Sequence, residues 1–450
     1  MTSWLLTQGL AIASEGHGDA HGAADMAHGG GGSLVTVLFL LVVVALAYIL
    51  THFVVERLQK RYLLLTGIEY VLLGVVLGPN VVEQVRPFTD LRALGPIFAF
   101  AAGWVGLLYG MEFQLTRLLA TADRSIRLAL ADALVTGAGI TVASLAFFRS
   151  GLLMDVIPDA EAWPAAMLLG CAAGASSSSA VDLVQRRYAR LETQLLPLLR
   201  RTARLGDMFA LVAFGLIFCL FHPGGTLLPR DPVWAEWLVI SIGLGVVLGM
   251  VFMAFLSDDA GDNDAFLAMI GILLFASGAA FFLELSALLV NVILGAVIVQ
   301  TAKGKQVSVQ LERTAQPVRL VLLLFAGALW TPVDPTTAAF VTACYILFRL
   351  LGKTVGGWLA TLGTPLRSDV FRGLLAQGDV AVAMAISAKL VYGGGAAIDV
   401  AYTAILVSVA FHELVAPRSL RGLLVDAGEL REDMPAELDP PAANASEGAH

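Results

Sequence analysis

Residues 169–184 read LGCAAGASSSSAVDLV: four consecutive serines, Ser176 to Ser179, set in a run that is otherwise apolar and of membrane-spanning length. Glycine and serine are poor helix formers, and where a membrane helix breaks, hydroxyls take the place of lost backbone partners. The stretch therefore predicts a helix that unwinds in mid-membrane, with Gly170, Gly174 and the four serines near its middle. Such breaks are a carrier device, because half-helix ends and freed carbonyls hold ions at the bilayer centre. A plainer reading is that the serines only let neighbouring helices approach closely, as small residues do.

The rest of the chain fits a membrane setting. It has 450 residues, 58% of them hydrophobic and 14% charged, against about 25% charged in a soluble domain; mean hydropathy is +0.80. A bilayer core needs about 20 apolar residues as helix. Thirteen such spans start near residues 34, 62, 92, 126, 164, 198, 233, 264, 286, 317, 338, 372 and 399; the one at 286 is short and contains Asn291. Residues 1–33 precede them as an extracytoplasmic flexible tail or a poor signal peptide. That stretch is rich in Gly and Ala, and its His17, His21 and His28 give only a weak metal-binding signal. Cys171, Cys219 and Cys344 lie in apolar runs without metal-ligand spacing and read as small core residues.

Orientation follows from the basic residues. With loops alternating in side, one side holds 21 of the 28 Lys and Arg, and the other holds only Arg86, Arg92, Arg149 and Arg230. This predicts a multi-pass inner-membrane protein with its N-terminus outside and its C-terminus, residues 418–450, as a short cytoplasmic tail. The cytoplasmic loop SDDAGDND is a local acidic exception.

Ionisable groups inside spans are costly and mark function by default. Asp207, in RTARLGDMFALVAFGLIF, lies about ten residues into the sixth span and needs a partner, a proton or a cation. Arg349 and Lys353 share one face of the eleventh span through their i,i+4 spacing. Asp379 sits at a second weak point, Gln377-Gly378-Asp379, in the twelfth. Asp132 and Glu69 lie about two turns into the fourth and second, as possible pathway groups. Lys389 is expected to snorkel outward, while Glu112, Glu284, His412 and Glu413 fall near span ends. The breaks in spans five and twelve lie in opposite orientations. That is the arrangement of an inverted repeat, spans one to six against eight to thirteen, with the seventh, residues 233–255, as linker. The fold class is thus an all-α polytopic membrane protein with crossed discontinuous helices.

Several stretches carry a family resemblance. LTGIEYVLLGVVLGP (65–79), LLYGMEF (107–113), LSALLVNVILGAVIVQ (285–300), LERTAQPVRLVLLLFAGALWTPVD (311–334), RGLLAQGDVAVAMA (372–385) and HELVAPRSLRGLL (412–424) together resemble the monovalent cation–proton antiporters, nearest the Kef-type and bacterial sodium–proton exchanger branch. The resemblance implies a membrane domain over 34–417 in two parts. A dimer-forming scaffold takes 34–112 and 264–332, and an ion-carrying core, 126–221 and 338–417, slides against it. It implies a homodimer in the lipid bilayer whose partners are a monovalent cation, sodium or potassium, and a proton. No cofactor and no nucleic acid are expected.

Many relatives carry Thr-Asp at the break of span five and Asn-Asp or Asp-Asp in span six. Here Ser176 and Ser177 stand in the first pair of positions, and Gly206-Asp207 in the second. Asp207 then matches the cation- and proton-binding carboxylate, with Ser176, Ser177 and Ser178 completing the oxygen ligands. Arg349, or Lys353 a turn away, matches the basic partner. The acid missing from span five is balanced on this reading by Asp379. One carboxylate shared by both substrates implies electroneutral one-for-one exchange. An inverted-repeat organic-anion symporter and a cation channel remain as other classes. An enzyme is not expected: HELVA is not HExxH, and GASSSSA is not a nucleophile elbow.

Overall fold

The computed structural model describes residues 67–78, 95–113, 123–188, 193–222, 232–255, 261–301 and 304–431. The first expected span, the N-terminal tail with His17, His21 and His28, and most of the C-terminal tail lie outside these residues. Every regular element among the described residues is helical: α1 (Ile68–Leu77), α2 (Gly95–Gly110), α3 (Asp123–Ser150), α4 (Asp159–Gly174), α5 (Ser179–Arg187), α6 (Leu195–Leu220), α7 (Trp234–Phe255), α8 (Asp262–Phe282), α9 (Ala287–Ile298), α10 (Gly304–Ala328), α11 (Pro335–Thr361), α12 (Asp379–Val391) and α13 (Ala396–Asp426), with a 3₁₀ turn at Val370–Gly373. Among the described residues, seven helical spans are long and apolar enough to cross a membrane, and α2 and α9 are shorter apolar helices.

Local chemistry accounts for the boundaries that matter. Asp334 starts α11 by accepting the Thr337 amide at 2.8 Å, with Pro335 following it in the first turn. The amide and hydroxyl of Thr337 hold the exposed Asp334 carboxyl below its ordinary range. α13 differs from expectation. It runs through Pro417 to Asp426 instead of ending near 417, because Leu420, Leu423 and Leu424 are buried and that packing outweighs one lost backbone bond. His412 and Glu413 therefore lie deep in a helix, 0% and 2% exposed, not at its end.

The helices pack in two groups. α1, α2, α7, α8, α9 and α10 contact one another, and α3, α4, α5, α6, α11, α12 and α13 form the second group; α12 touches α2, α9 and α10 across the seam. Within the first group α1 and α10 meet at Gly74 and Gly327, where a Cβ on either glycine would run into the facing helix's backbone carbonyl. Close backbone approach at small residues is how membrane helices gain packing energy. Gly327→Ala is expected to destabilise the protein by about 1–3 kcal/mol, read as a lowered melting temperature in detergent; an unchanged melt would show that the contact is not needed.

The helical course of the second group is interrupted at two places. Helix stops at Gly174 and resumes at Ser179, and residues 374–378 are non-helical before α12 starts at Asp379. The two stretches meet, with the Ser177 amide donating to the Ala376 carbonyl at 3.0 Å. Gly378 packs so closely on Ser177 that a Cβ there would lie 2.5 Å from its hydroxyl.

Candidate ion-binding site

Breaking a buried helix strands polar backbone groups, and every one must find a partner. At the end of α4 the carbonyls are served by side chains from elsewhere. Gln377 Nε2 donates to Ala172 O at 2.9 Å, Arg349 Nε to Ala173 O at 3.2 Å, Lys353 Nζ to Gly174 O at 3.2 Å and Arg349 Nη2 to Ala175 O at 3.0 Å. Arg349 also reaches the other unwound stretch, donating to Leu375 O at 2.7 Å and Ala376 O at 3.4 Å. A fully buried guanidinium thus sits at the negative end of α4, where a cation is favoured. Gln377 is held in turn by Tyr345 and Ser408, and Ser408 contacts His412.

The i,i+4 spacing does put Arg349 and Lys353 on one face, but neither reaches Asp207. Lys353 pairs instead with Asp132 of α3 at 2.6 Å and donates to Ser176 Oγ at 2.5 Å, while Ser176 Oγ lies 3.1 Å from Asp132 Oδ2. Both charges are essentially inaccessible, 0% and 1% exposed. The acid that directly balances a buried base beside the first break is therefore Asp132, on α3. Asp379 opens α12, where its carboxylate favours the positive helix end.

Asp207, 1% exposed, has no ion-pair partner among the described residues. Its Oδ1 accepts the Ser176 amide at 3.1 Å, the amide that an unbroken α4 would have given to Ala172 O. Its Oδ2 accepts the Tyr109 hydroxyl at 3.1 Å. Tyr109, on α2, was not singled out by the sequence. The available signal was a phenol in an apolar helix, since a buried tyrosine hydroxyl normally finds a partner.

Beside this pair opens a cavity of about 330 Å³ lined by Tyr109, Ser177, Ser178, Ser179 and Asp379, together with Glu112, Asp182, Arg186, Arg204, Glu312 and Arg319. Arg204 pairs with Glu112 at 3.5 Å, Arg200 with Asp182 at 2.5 Å, and Arg319 with Glu413. Ser177 Oγ accepts the Ser179 amide at 3.2 Å, Ser178 donates to Asp182 at 3.1 Å, and Ser179 Oγ has no protein partner. Ser177 and Ser178 thus face the cavity, whereas Ser176 belongs to the Lys353–Asp132 cluster. Glu69 accepts the Gly67 amide at 3.0 Å at the start of α1 and does not line the cavity. Lys389 does not snorkel. It pairs with Asp399 across the α12–α13 turn and reaches Thr331 at 3.0 Å, because an acid within reach is a better partner than distant water. A second cavity, of about 260 Å³, lies on the seam at the other end of α12, lined by Ala99, Phe281, Glu284, Ser286, Ser387 and Leu390. The Ser387 hydroxyl there is buried without a partner.

Comparison with known proteins places this architecture. The family model described as "Sodium/hydrogen exchanger, transmembrane" matches residues 41–426. The solved structure of the sodium proton antiporter MjNhaP1 from Methanocaldococcus jannaschii is similar with a TM-score of 0.56 at 16% identity, over 87% of this chain and 99% of that one. Among curated proteins, none matches. The chain therefore belongs to the transmembrane sodium/hydrogen exchanger family, as a multi-pass membrane antiporter of monovalent cations and protons and not an enzyme.

Proposed function

We propose that Asp207 is the one carboxylate that cation and proton share, reached from the cytoplasm through the serine-lined cavity. The observation that carries this is the contrast between the two buried acids. Asp132 is paired with Lys353, while Asp207 is met only by neutral donors, so no ion pair competes with a substrate there. Hydroxyl and carboxylate oxygens suit a hard monovalent cation, and Ser177, Ser178 and Asp379 are the further oxygen groups facing the cavity. Arg186, Arg204 and Arg319 line the cavity, so with basic residues on the inner side it opens to the cytoplasm, the N-terminus lies outside, and the C-terminus lies inside.

The two helix groups are then the two bodies of an alternating-access carrier. α3–α6 and α11–α13 form the core; α1, α2 and α8–α10 form the scaffold, which would also make the homodimer; α7 links them. The core moves until the site meets the second cavity at the far end of α12. A cation channel is less well supported, because the two cavities share no lining residue and a channel needs an open route. An organic-anion site would be roomier and would not end on an acid.

Charge balance favours electroneutral exchange. Inside the core Arg349 and Lys353 are offset by Asp132 and Asp379, so the net charge of the moving body changes only with Asp207. A proton or a monovalent cation brings it to the same value. Purified protein in vesicles with an internal pH dye, given sodium, lithium and potassium gradients in turn, tests the activity and ranks the cations. The rate is expected to stay within about twofold when a potential of about 100 mV is imposed, an energy of about 2.3 kcal/mol per charge moved. A rate that follows the potential would overturn the one-for-one stoichiometry.

A further inference from the structure

We infer that Tyr109 is a positioning residue that holds the core to the scaffold whenever Asp207 carries neither substrate, and so keeps exchange obligatory. The inference rests on the assignment of Asp207 as the shared carboxylate. Strict antiport needs more than a site that binds two ions in turn. It requires that the carrier with a bare carboxylate should not cross, because each such crossing turns exchange into a one-way leak.

Three observations point to Tyr109. It stands on α2, in the group that contains α8–α10, whereas Asp207 stands on α6 in the other group. Of the two hydrogen bonds to the Asp207 carboxylate, that from the Ser176 amide arises within its own group and moves with it; that from the Tyr109 hydroxyl crosses the seam. Tyr109 also lines the cytoplasmic cavity and Asp207 does not, so the phenol is a residue of the cavity wall that touches the acid.

The strength of this bond depends on what Asp207 carries. A hydroxyl donating to a carboxylate makes a charge-assisted bond, roughly twice as strong as its neutral counterpart. Protonation makes the acceptor a neutral acid, and a cation seated on Oδ2 takes the lone pairs that the phenol used. Either substrate therefore weakens the tie. Other polar links cross the seam, among them Arg204–Glu112, Arg319–Glu413 and Tyr402 with the Ala326 carbonyl. None of these includes Asp207, so they hold loaded and unloaded carriers alike. Tyr109 alone among these links discriminates between them.

The test separates leak from exchange. Wild type and Tyr109→Phe are reconstituted in vesicles with an internal pH dye, and two rates are read. Exchange is driven by a sodium gradient. Leak is the decay of an imposed pH gradient in choline thiocyanate, where the permeant anion removes the electrical brake and no alkali cation is present. Tyr109→Phe is expected to keep exchange within about threefold while leak rises roughly fivefold to tenfold, the factor that follows from losing about 1 kcal/mol or a little more. Tyr109→Leu should leak likewise, whereas Leu108→Val, in the same cavity wall, should not. Adding Asp207→Asn to Tyr109→Phe should return leak to the level of protein-free vesicles, because the leaking proton rides on that carboxylate. Wild-type leak in both Tyr109 variants would overturn the inference, and so would equal leak in Leu108→Val. Exchange surviving Asp207→Asn would instead strike the site assignment beneath it.

Discussion

Asp207→Asn is expected to reduce cation–proton exchange at least a hundredfold, to the rate of protein-free vesicles, without unfolding the protein. The amide matches the carboxylate in shape. It can still accept the Ser176 amide through its oxygen, and its nitrogen can donate to the Tyr109 hydroxyl with that group's proton turned away. What it cannot do is bind a proton in the working pH range or offer a charged oxygen to a cation. Removing an unpaired buried charge also relieves a desolvation penalty, so the variant should melt at or above the wild-type temperature. The pairing of lost transport with retained or raised stability makes the test informative: an inactive, unfolded protein would say nothing of the site. Sodium-driven proton efflux that survives in the folded variant would move the site elsewhere, with Asp379 as the next carboxylate on the cavity wall.

Features set by local composition were legible. Gly174 and four serines announced one interruption, Gln377-Gly378-Asp379 the other, and the i,i+4 pair of bases announced a common face at the crossing. Features set by depth across helices were not. Nothing in the chain says that Lys353 meets Asp132 and not Asp207, because three buried charges on three helices pair according to their heights in the bilayer. The same limit explains Arg349, whose guanidinium serves one carbonyl in the last turn of α4 and three of the two unwound stretches. The acid beside the first break comes from α3, where Asp132 faces the Ser176 hydroxyl. Lys389 misleads for a simpler reason: its acid, Asp399, lies beyond a turn, and the snorkelling rule assumes that water is the nearest partner. Tyr109 was hidden because an isolated tyrosine in an apolar helix is more often packing than chemistry.

Removing either partner of the Lys353–Asp132 pair is expected to destabilise the protein by about 3–5 kcal/mol. Lys353→Met leaves Asp132 as an unbalanced buried carboxylate and also strips donors from Gly174 O and Ser176 Oγ. Asp132→Leu leaves the ammonium uncompensated, with only Ser176 and the Gly174 carbonyl beside it. In the double variant Asp132→Leu/Lys353→Met the charge imbalance disappears, and two apolar side chains of similar size fill the space. Replacement of a buried pair by apolar groups is often neutral, so the double should recover part of the loss, leaving about 1–3 kcal/mol for each of the two groups that stay without partners, the Gly174 carbonyl and the Ser176 hydroxyl. Thermal melts of the four proteins in one detergent form the cycle. Melting of Lys353→Met at the wild-type temperature would sink the claim that the pair supports the break. Transport by the double variant then carries the further step. If Lys353 and Asp132 hold the unwound stretch in place and Asp207 alone exchanges substrates, the double variant still exchanges one cation for one proton. Its rate should remain as indifferent to an imposed potential as that of the wild type. Loss of exchange in a folded double variant would mean that the pair takes part in carrying charge. The carboxylate on α3 would then be a second working acid, and not the counter-charge described above.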